Sequence, residues 1–221
     1  MAPRSNNTNP KSDGYVLPEW FFEFVRIPLR HAWRILFRIR FIGIEHIPPS
    51  GGLIVAANHQ TYIDPFWLGI PFKRPLRYLA WDEAFRWPVV GKFIRAFGAW
   101  PLQLEGSDPA AIRRTLQWLS EGGAIVIFPE GGRETADGAL LKFKAGAVRL
   151  AIEAGVPILP VTIRGGNRVW PRGQHLPRLA TVEIIYHPLF AVEKKVGEET
   201  RAAARRESER LAGIIGGTLT N

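Results

Sequence analysis

The sequence contains no cysteine. This absence excludes disulfide bonds, a cysteine nucleophile and thiolate metal sites, so any catalysis has to use other groups. No window of about 18 residues is both free of charge and predominantly apolar, so the sequence predicts no membrane-spanning helix. The stretch 1–14 also lacks the apolar core of a signal peptide. We therefore expect a disordered tail at 1–14 and a location on the cytoplasmic side.

The composition is typical of a folded protein with a basic surface. The chain has 221 residues, of which 46% are hydrophobic and 22% charged, enough for one full domain and an appendage. Its 29 lysines and arginines exceed its 20 acidic residues, which gives a net charge of +9. Such a surface attracts nucleic acid, acidic lipid or phosphorylated small molecules, and charge does not choose among them. No helix-turn-helix, zinc or RNP pattern accompanies the charge, so we predict no nucleic-acid partner.

The segment 15–41 combines aromatic and aliphatic side chains with a regular series of arginines that recur every four residues. On a helix this spacing places the guanidinium groups in one stripe. One interpretation is a helix packed on the protein's own core, with its charged face in solvent. The other is an amphipathic membrane-interface segment in which aromatic rings lie at the headgroup level and arginines bind lipid phosphates. Both interpretations hold if each applies to a different face of the helix. The candidate interface residues are Trp20, Phe21, Phe24, Arg26, Arg30, Trp33, Arg34, Phe37 and Arg38.

From residue 42 onward, short apolar runs alternate with turns and helical stretches, which predicts an α/β fold. The predicted strands are 53–57, 124–128, 158–163 and 181–186. The predicted helices are 108–120, 144–154 and 198–215. We assign 42–221 to one folded domain.

A histidine and a carboxylate follow the predicted strand 53–57. His59 stands just beyond the end of this strand, where α/β folds place their sites, and Asp64 follows five residues later. A neutral imidazole can take a proton from a hydroxyl near pH 7, and a nearby carboxylate can hold its tautomer. The local alternative is that Asp64 caps the next helix, with Pro65 in its first turn, while His59 satisfies its hydrogen bonds locally.

A second group of residues, 128–133, lies at the end of the next predicted strand. Gly131 and Gly132 let the backbone come close to a ligand and expose N–H donors, and Arg133 offers a planar fork suited to phosphate or carboxylate. Lys144 follows within a dozen residues. The alternative is a glycine turn with exposed charges. No Walker A or Gly-x-Gly-x-x-Gly pattern favours a nucleotide.

In this order, the motifs resemble those of the glycerolipid acyltransferases, the family of 1-acylglycerol-3-phosphate acyltransferases. The family's His-x-x-x-x-Asp motif is matched by His59 and Asp64. Its Phe-Pro-Glu-Gly-Thr-Arg block is matched by 128–133, with Gly132 where threonine is usual, and its Val-Pro-Ile-X-Pro-Val strand by 156–161. The resemblance spans 41–190 and implies a mixed, largely parallel central sheet flanked by helices.

The resemblance also implies an activity. It is the transfer of a fatty acyl group from acyl-CoA or acyl carrier protein to the hydroxyl of a lysophospholipid, above all 1-acyl-glycerol-3-phosphate. His59 would act as general base, oriented by Asp64, with neither an acyl-enzyme nor a cofactor. The acceptor's phosphate would be held by Arg133 and the turn before it. The substrates are amphiphiles, which favours a peripheral or monotopic protein on an anionic membrane surface. The candidate substrate-binding residues are Asn58, Arg95, Glu130, Gly131, Gly132, Arg133 and Lys144.

One block departs from the family pattern. Family members have a glycine-led stretch ending in Asp-Arg, whose arginine helps to hold the acceptor's phosphate, whereas 91–104 here ends without that arginine. Arg95, Lys92 and Arg86 are the candidates to replace it. Another lyso-lipid or an amino-lipid is therefore the alternative acceptor, and a non-catalytic lipid-surface module is the alternative of a different class.

The histidines of the chain do not suggest a metal site. They show neither His-x-x-x-His nor His-Glu-x-x-His spacing, so we predict no bound metal. His187 follows a predicted strand and could approach the pocket, but a lone histidine in such a position is more often structural.

Overall fold

The structure is a computed structural model, and it describes residues 24, 28, 31, 32, 37–103, 108–132, 138–171, 174 and 176–219. The predicted tail at 1–14 lies outside the described residues. So do six of the candidate interface residues in 15–41, namely Trp20, Phe21, Arg26, Arg30, Trp33 and Arg34.

The described residues form seven strands, six α-helices and two short 3-10 helices from residue 40 onward. The strands are β1 (Arg40–Ile42), β2 (Leu53–Ala57), β3 (Leu76–Trp81), β4 (Ala99–Leu102), β5 (Ala124–Ile127), β6 (Ile158–Arg164) and β7 (Glu183–Tyr186). The α-helices are α1 (Asp64–Gly69), α2 (Pro88–Ala96), α3 (Pro109–Ser120), α4 (Gly146–Ala154), α5 (Gly166–Val169) and α6 (Thr200–Gly217). The 3-10 helices are η1 (Ile44–His46) and η2 (Asp82–Arg86). The predicted strands and helices are thus confirmed, with ends that differ by a few residues. β1, β3, β4, α2, α5 and the two 3-10 helices were not predicted.

The strands form one sheet in the order β1-β7-β6-β2-β5-β3-β4. β6, β2, β5, β3 and β4 run parallel to one another. β7 pairs antiparallel with β6, and β1 pairs parallel with β7. The predicted mixed, largely parallel sheet flanked by helices is therefore confirmed.

β2 lies at the centre of the sheet, and all five of its residues are buried. Leu53, Val55 and Ala57 contribute to a core on one face, together with Trp67 of α1. Ile54 and Ala56 point to the opposite face and contribute to a second core, because successive side chains of a strand alternate between faces. Since the parallel strands β2, β5 and β3 end at the same edge, the segments that follow them lie close together.

Three of the candidate interface residues are described. Phe24 is exposed, whereas Phe37 is buried in the core, with its ring centre 5.8 Å from that of Trp67. Phe37 therefore belongs to the core face of this segment rather than to a surface that could touch lipid. Arg38 is exposed, and its φ of 44° is in the left-handed region, where helices commonly end. Among the described helices, none is both long and apolar enough to cross a bilayer.

Candidate active site

The residues of the first motif meet at the carboxyl end of β2. The side chain of His59 is 18% exposed, while that of Asp64, the first residue of α1, is fully buried. His59 Nδ1 lies 3.0 Å from Asp64 Oδ2. A carboxylate accepts hydrogen bonds, so this contact places the proton of a neutral imidazole on Nδ1 and leaves the lone pair on Nε2.

Backbone groups of the loop between β2 and α1 hold the Asp64 carboxylate in place. Its Oδ2 atom accepts hydrogen bonds from the backbone N–H groups of Gln60, at 2.6 Å, and Thr61, at 2.7 Å. Its Oδ1 atom accepts a third from the Thr61 hydroxyl, at 3.0 Å. The carboxylate therefore cannot rotate freely, and it fixes the plane of the imidazole. The prediction that Asp64 caps the helix is wrong, because Asp64 is the first residue of α1, the cap position is held by Ile63, and the Asp64 carboxylate binds the loop before the helix.

Phe128 packs against one face of the His59 ring. The two rings stack with their centres 4.0 Å apart and their planes 21° from parallel. Among the described residues, no group hydrogen-bonds to Nε2. The ring is thus fixed on one edge by Asp64 and across one face by Phe128, and the described part of the chain leaves Nε2 to a ligand.

Glu130 connects the second motif to the first through the backbone. One carboxylate oxygen accepts a hydrogen bond from the N–H of His59, at 2.7 Å, and the other from the N–H of Leu141, at 2.8 Å. Glu130 is itself buried. Its carboxylate therefore fastens the loop carrying His59 to the segment after the second motif, which is a positioning role that sequence reasoning did not assign to it.

The glycine turn and Lys144 lie against each other. Gly131 has a φ of 67°, and a Cβ atom built on it would lie 2.5 Å from Lys144 Nζ. The backbone N–H of Lys144 donates to the Pro129 carbonyl, at 2.8 Å. The turn and an exposed ammonium group thus form one surface beside Glu130. A Cβ at Gly132 would meet nothing within 4 Å. Arg133 lies outside the described residues.

Two predicted substrate-binding residues have other contacts. Asn58 is buried, and its amide nitrogen donates to the Ile163 carbonyl at 2.9 Å, while its amide oxygen accepts from the Ile163 N–H at 2.7 Å. Its amide thus joins β2 to β6, and the binding of substrate by Asn58 stays a prediction beside this structural role. Arg95 lies over the Phe85 ring, 4.9 Å from its centre, and donates to the Phe85 carbonyl at 3.5 Å. These contacts do not bring Arg95 to His59.

His187 is engaged in the interior instead of at the site. Its Nε2 atom lies 2.8 Å from the hydroxyl of Thr162, which donates to the Ile215 carbonyl at 3.1 Å. Burial, and to a lesser degree the neighbouring His46, lowers the pKa of His187. Among the described residues, no three or more His, Asp or Glu side chains are grouped to hold a metal ion.

Sequence reasoning did not single out Thr61, Gln60 or Phe128 as site residues. The Gln60 side-chain oxygen accepts a hydrogen bond from the Gly166 N–H, at 2.8 Å, which ties the loop to α5. The available signal was the run of polar residues 58–61 directly after a wholly apolar strand. A buried polar side chain needs a partner, so such a run indicates a hydrogen-bonded loop.

Comparisons with known proteins agree on one family. A 1-acyl-sn-glycerol-3-phosphate acyltransferase of Borreliella burgdorferi is 30% identical over 185 residues, which cover 83% of this chain and 70% of that protein. A protein of the same name from Chlamydomonas reinhardtii is 27% identical over 196 residues, 83% of this chain and 56% of that protein. The chain spans about half the length of the algal and plant relatives it matches, 43% in the case of a chloroplastic Arabidopsis thaliana acyltransferase.

The fold agrees with the sequence comparisons. The crystal structure of the 1-acyl-sn-glycerophosphate acyltransferase PlsC from Thermotoga maritima superposes with a TM-score of 0.70 at 26% identity, covering 91% of this chain and 81% of that one. A family model described as Acyltransferase matches residues 38–164. This range contains both motifs and β1 to β6. The chain therefore belongs to the acyltransferase family that includes the 1-acyl-sn-glycerol-3-phosphate acyltransferases.

Proposed function

We propose that this protein is a 1-acyl-sn-glycerol-3-phosphate acyltransferase. It transfers a fatty acyl group from acyl-CoA or acyl carrier protein to the free hydroxyl of 1-acyl-glycerol-3-phosphate, giving phosphatidic acid. The reaction takes place at the cytoplasmic face of a membrane. The observation that carries the proposal is the hydrogen-bonded pair of His59 and Asp64, whose geometry leaves Nε2 available at a strand end.

The pair supplies a base for a direct transfer. His59 Nε2 takes the proton of the acceptor hydroxyl while the oxygen attacks the thioester carbonyl, and Asp64 stabilises the imidazolium that forms. The tetrahedral intermediate then collapses, the carbon–sulfur bond breaks, and the thiolate takes the proton back from Nε2. An ester and a thiol result. No acyl-enzyme is needed, which suits a chain without cysteine.

The surface formed by Gly131 and Lys144 is suited to the acceptor's phosphate. Backbone N–H groups of a glycine turn and an ammonium group both favour an anion. Glu130 holds this turn against the loop of His59, because its carboxylate accepts a hydrogen bond from the His59 N–H. A phosphate bound at the turn therefore sets the distance between the acceptor's hydroxyl and Nε2.

Replacing the base tests the proposal. We expect H59Q to lower acyl transfer from radiolabelled acyl-CoA to 1-acyl-glycerol-3-phosphate by about 10²- to 10⁴-fold, the range of general base catalysis. The control is H46Q, which changes a second partly buried histidine, one whose Nδ1 contacts the Tyr186 carbonyl. Both variants should keep the circular dichroism spectrum of the unchanged protein. Full activity in folded H59Q would refute the role of His59.

A second acceptor is favoured by one observation. The stretch 91–104 lacks the family's arginine, and Arg95 contacts the ring and the carbonyl of Phe85. With fewer cations for a phosphate monoester, the acceptor could be another lyso-lipid or an amino-lipid. A panel of acceptors assayed with one acyl donor separates the two, because the preferred acceptor has the highest kcat/KM.

A further inference from the structure

An exposed apolar surface lies on α2 and the residue before it. We call Trp87, Val89, Val90 and Phe93 the α2 surface. Val89 is 80% exposed, Trp87 51% and Phe93 47%. Exposed apolar residues are common singly, but a contiguous group of this size marks an interaction site.

The helix geometry explains why these side chains stay outside. Residues three and four apart share a helix face, so Val89, Val90 and Phe93 lie side by side. The opposite face faces the protein, where Gly91 is buried and a Cβ atom on it would lie 2.3 Å from the Phe85 carbonyl oxygen. α2 is therefore held by its glycine face, and its apolar face is turned outward.

Cations border this surface. Arg86, Lys92 and Arg95 are all exposed, and α2 itself contains no acidic residue. The preceding η2 carries two carboxylates, Asp82 and Glu83, in its first turn. Tryptophan and aliphatic side chains bordered by lysine and arginine are suited to the interface of an anionic bilayer, where rings lie at the headgroup level and cations meet phosphates.

The α2 surface lies at the same edge of the sheet as the candidate active site. β3 leads into η2 and α2, and it is separated from β2 only by β5, a distance of about 10 Å. The Phe93 ring centre is 5.2 Å from that of Phe66, two residues after Asp64 on α1. An amphiphile held in a bilayer under α2 is therefore close to His59.

We propose that the α2 surface docks on an anionic lipid bilayer and that this contact presents membrane-held acceptor to the site. The second half of this inference rests on the proposed function, while the docking itself requires no turnover. The surface is distinct from the predicted interface segment 15–41 and comes from a different part of the chain.

The absence of cysteine makes a site-specific test possible in the full chain. V89C and V196C each carry one polarity-sensitive fluorophore, and Val196, with a relative exposure of 107%, is the matched control valine. The probe is vesicles of phosphatidylcholine with phosphatidylglycerol. We expect the emission of the label at 89 to shift to shorter wavelength and to be quenched by lipids that carry nitroxide on the acyl chain. The emission of the label at 196 should stay at the wavelength it has in water.

A pair of serine variants measures the contribution of the surface. W87S/V89S should lower affinity for the vesicles by about tenfold or more, because two apolar side chains no longer leave water. L179S/V196S removes two exposed apolar side chains elsewhere and should bind as the unchanged protein does. W87S/V89S should raise KM for vesicle-held acceptor and leave turnover of a short-chain, water-soluble acceptor unchanged.

Three results would overturn the docking proposal. In the first, the vesicles bind but the label at 89 stays in a water-like environment. In the second, the label at 89 is shielded from iodide before lipid is added, and its emission does not change when lipid is added. This result would mean that residues 1–36 or a second copy of the chain cover α2. In the third, the protein transfers acyl groups but binds no vesicle. Vesicle binding through α2 without acyl transfer to any acceptor would instead refute the proposed function alone.

Discussion

At the scale of single residues, the glycine turn beside Lys144 sets the position of a charge. Gly131 combines a left-handed φ with close contact to a side chain, since a Cβ atom would lie 2.5 Å from Lys144 Nζ. The lysine end is flexible, so it would move aside and not prevent folding. The ammonium group can thus lie against the turn only while residue 131 has no side chain.

This arrangement predicts a change in acceptor binding for G131A. The alanine displaces the ammonium group, so KM for 1-acyl-glycerol-3-phosphate should rise several-fold while kcat changes less. The left-handed backbone adds a cost of about 1 kcal/mol to folding. G197A is the matched control, because Gly197 has a φ of 76° with nothing within 4 Å of a Cβ atom. In urea titrations we expect a similar loss of unfolding free energy in both variants. In steady-state kinetics only G131A should show a raised KM.

The contacts of single residues were predictable only where they are local. His59 and Asp64 are five residues apart, so one short loop can bring them into contact. The hydrogen bond from the His59 N–H to Glu130 joins residues 71 positions apart, and no periodicity indicates it. Asn58 stands beside His59 in the motif, and only the structure shows that its amide is occupied 105 residues away, at Ile163. A polar residue next to a catalytic candidate therefore has two equally good interpretations from sequence.

At the scale of elements, the Asn58 amide is the polar link between β2 and β6. Two hydrogen bonds to one backbone unit fix the end of the central strand just before His59. The amide is buried, so its removal leaves the Ile163 N–H and carbonyl without these partners. An unsatisfied buried group costs about 1–3 kcal/mol.

We therefore expect N58A to lose about 2 kcal/mol of unfolding free energy in urea. Q117A is the control, since Gln117 is an exposed amide on α3 that donates to Glu121 at 3.2 Å, and its loss should change stability by less than about 0.5 kcal/mol. If N58A is as stable as Q117A but binds acceptor poorly, Asn58 contacts substrate after all and the structural assignment fails.

Elements were predictable where the sheet is most deeply buried. β2, β5 and β6 are short apolar runs because parallel strands are covered on both faces. β3 and β4 lack such runs. Arg77 of β3 is buried and lies 5.2 Å from the ring centres of both Trp100 and Trp118, a tertiary contact that no strand pattern indicates. β4 contains Pro101, which an edge strand accepts.

At the scale of the whole molecule, one sheet edge collects residues from distant parts of the chain. β2, β5 and β3 are 53–57, 124–127 and 76–81 in sequence, yet their carboxyl ends carry His59, Glu130 and the approach to α2. The order of strands that achieves this cannot be read from local patterns, and the resemblance to a known family implied only a mixed, largely parallel sheet flanked by helices. The C-terminal helix α6 is attached to β6 of the sheet, where the Thr162 hydroxyl donates to the Ile215 carbonyl.

This attachment makes the stability of the whole molecule sensitive to mild acid. The Thr162 hydroxyl donates its hydrogen to the Ile215 carbonyl, so its oxygen accepts a hydrogen bond from the Nε2–H group of His187. Burial, followed by the effect of His46, lowers the pKa of His187 below its ordinary value of 6.5. As the pH falls below 6.5, the unfolded chain binds a proton that the folded protein does not. The contribution to stability is therefore complete above 6.5 and is lost as the pH falls through the lowered pKa.

H187Q tests this linkage, because a glutamine amide can donate to Thr162 and does not titrate. Urea titrations from about pH 8 to about pH 5 should show a steeper fall in unfolding free energy for the unchanged protein than for H187Q. Titrations continued below pH 4.5 give the comparison an internal reference. The hydrogen bond from Arg164 lowers the pKa of Glu183 below 4.5, so its contribution is present above 4.5 and should disappear at the same acidic pH in both proteins. Parallel curves between pH 8 and pH 5 would mean that His187 titrates alike in the folded and unfolded chain, and that its burial does not govern acid stability.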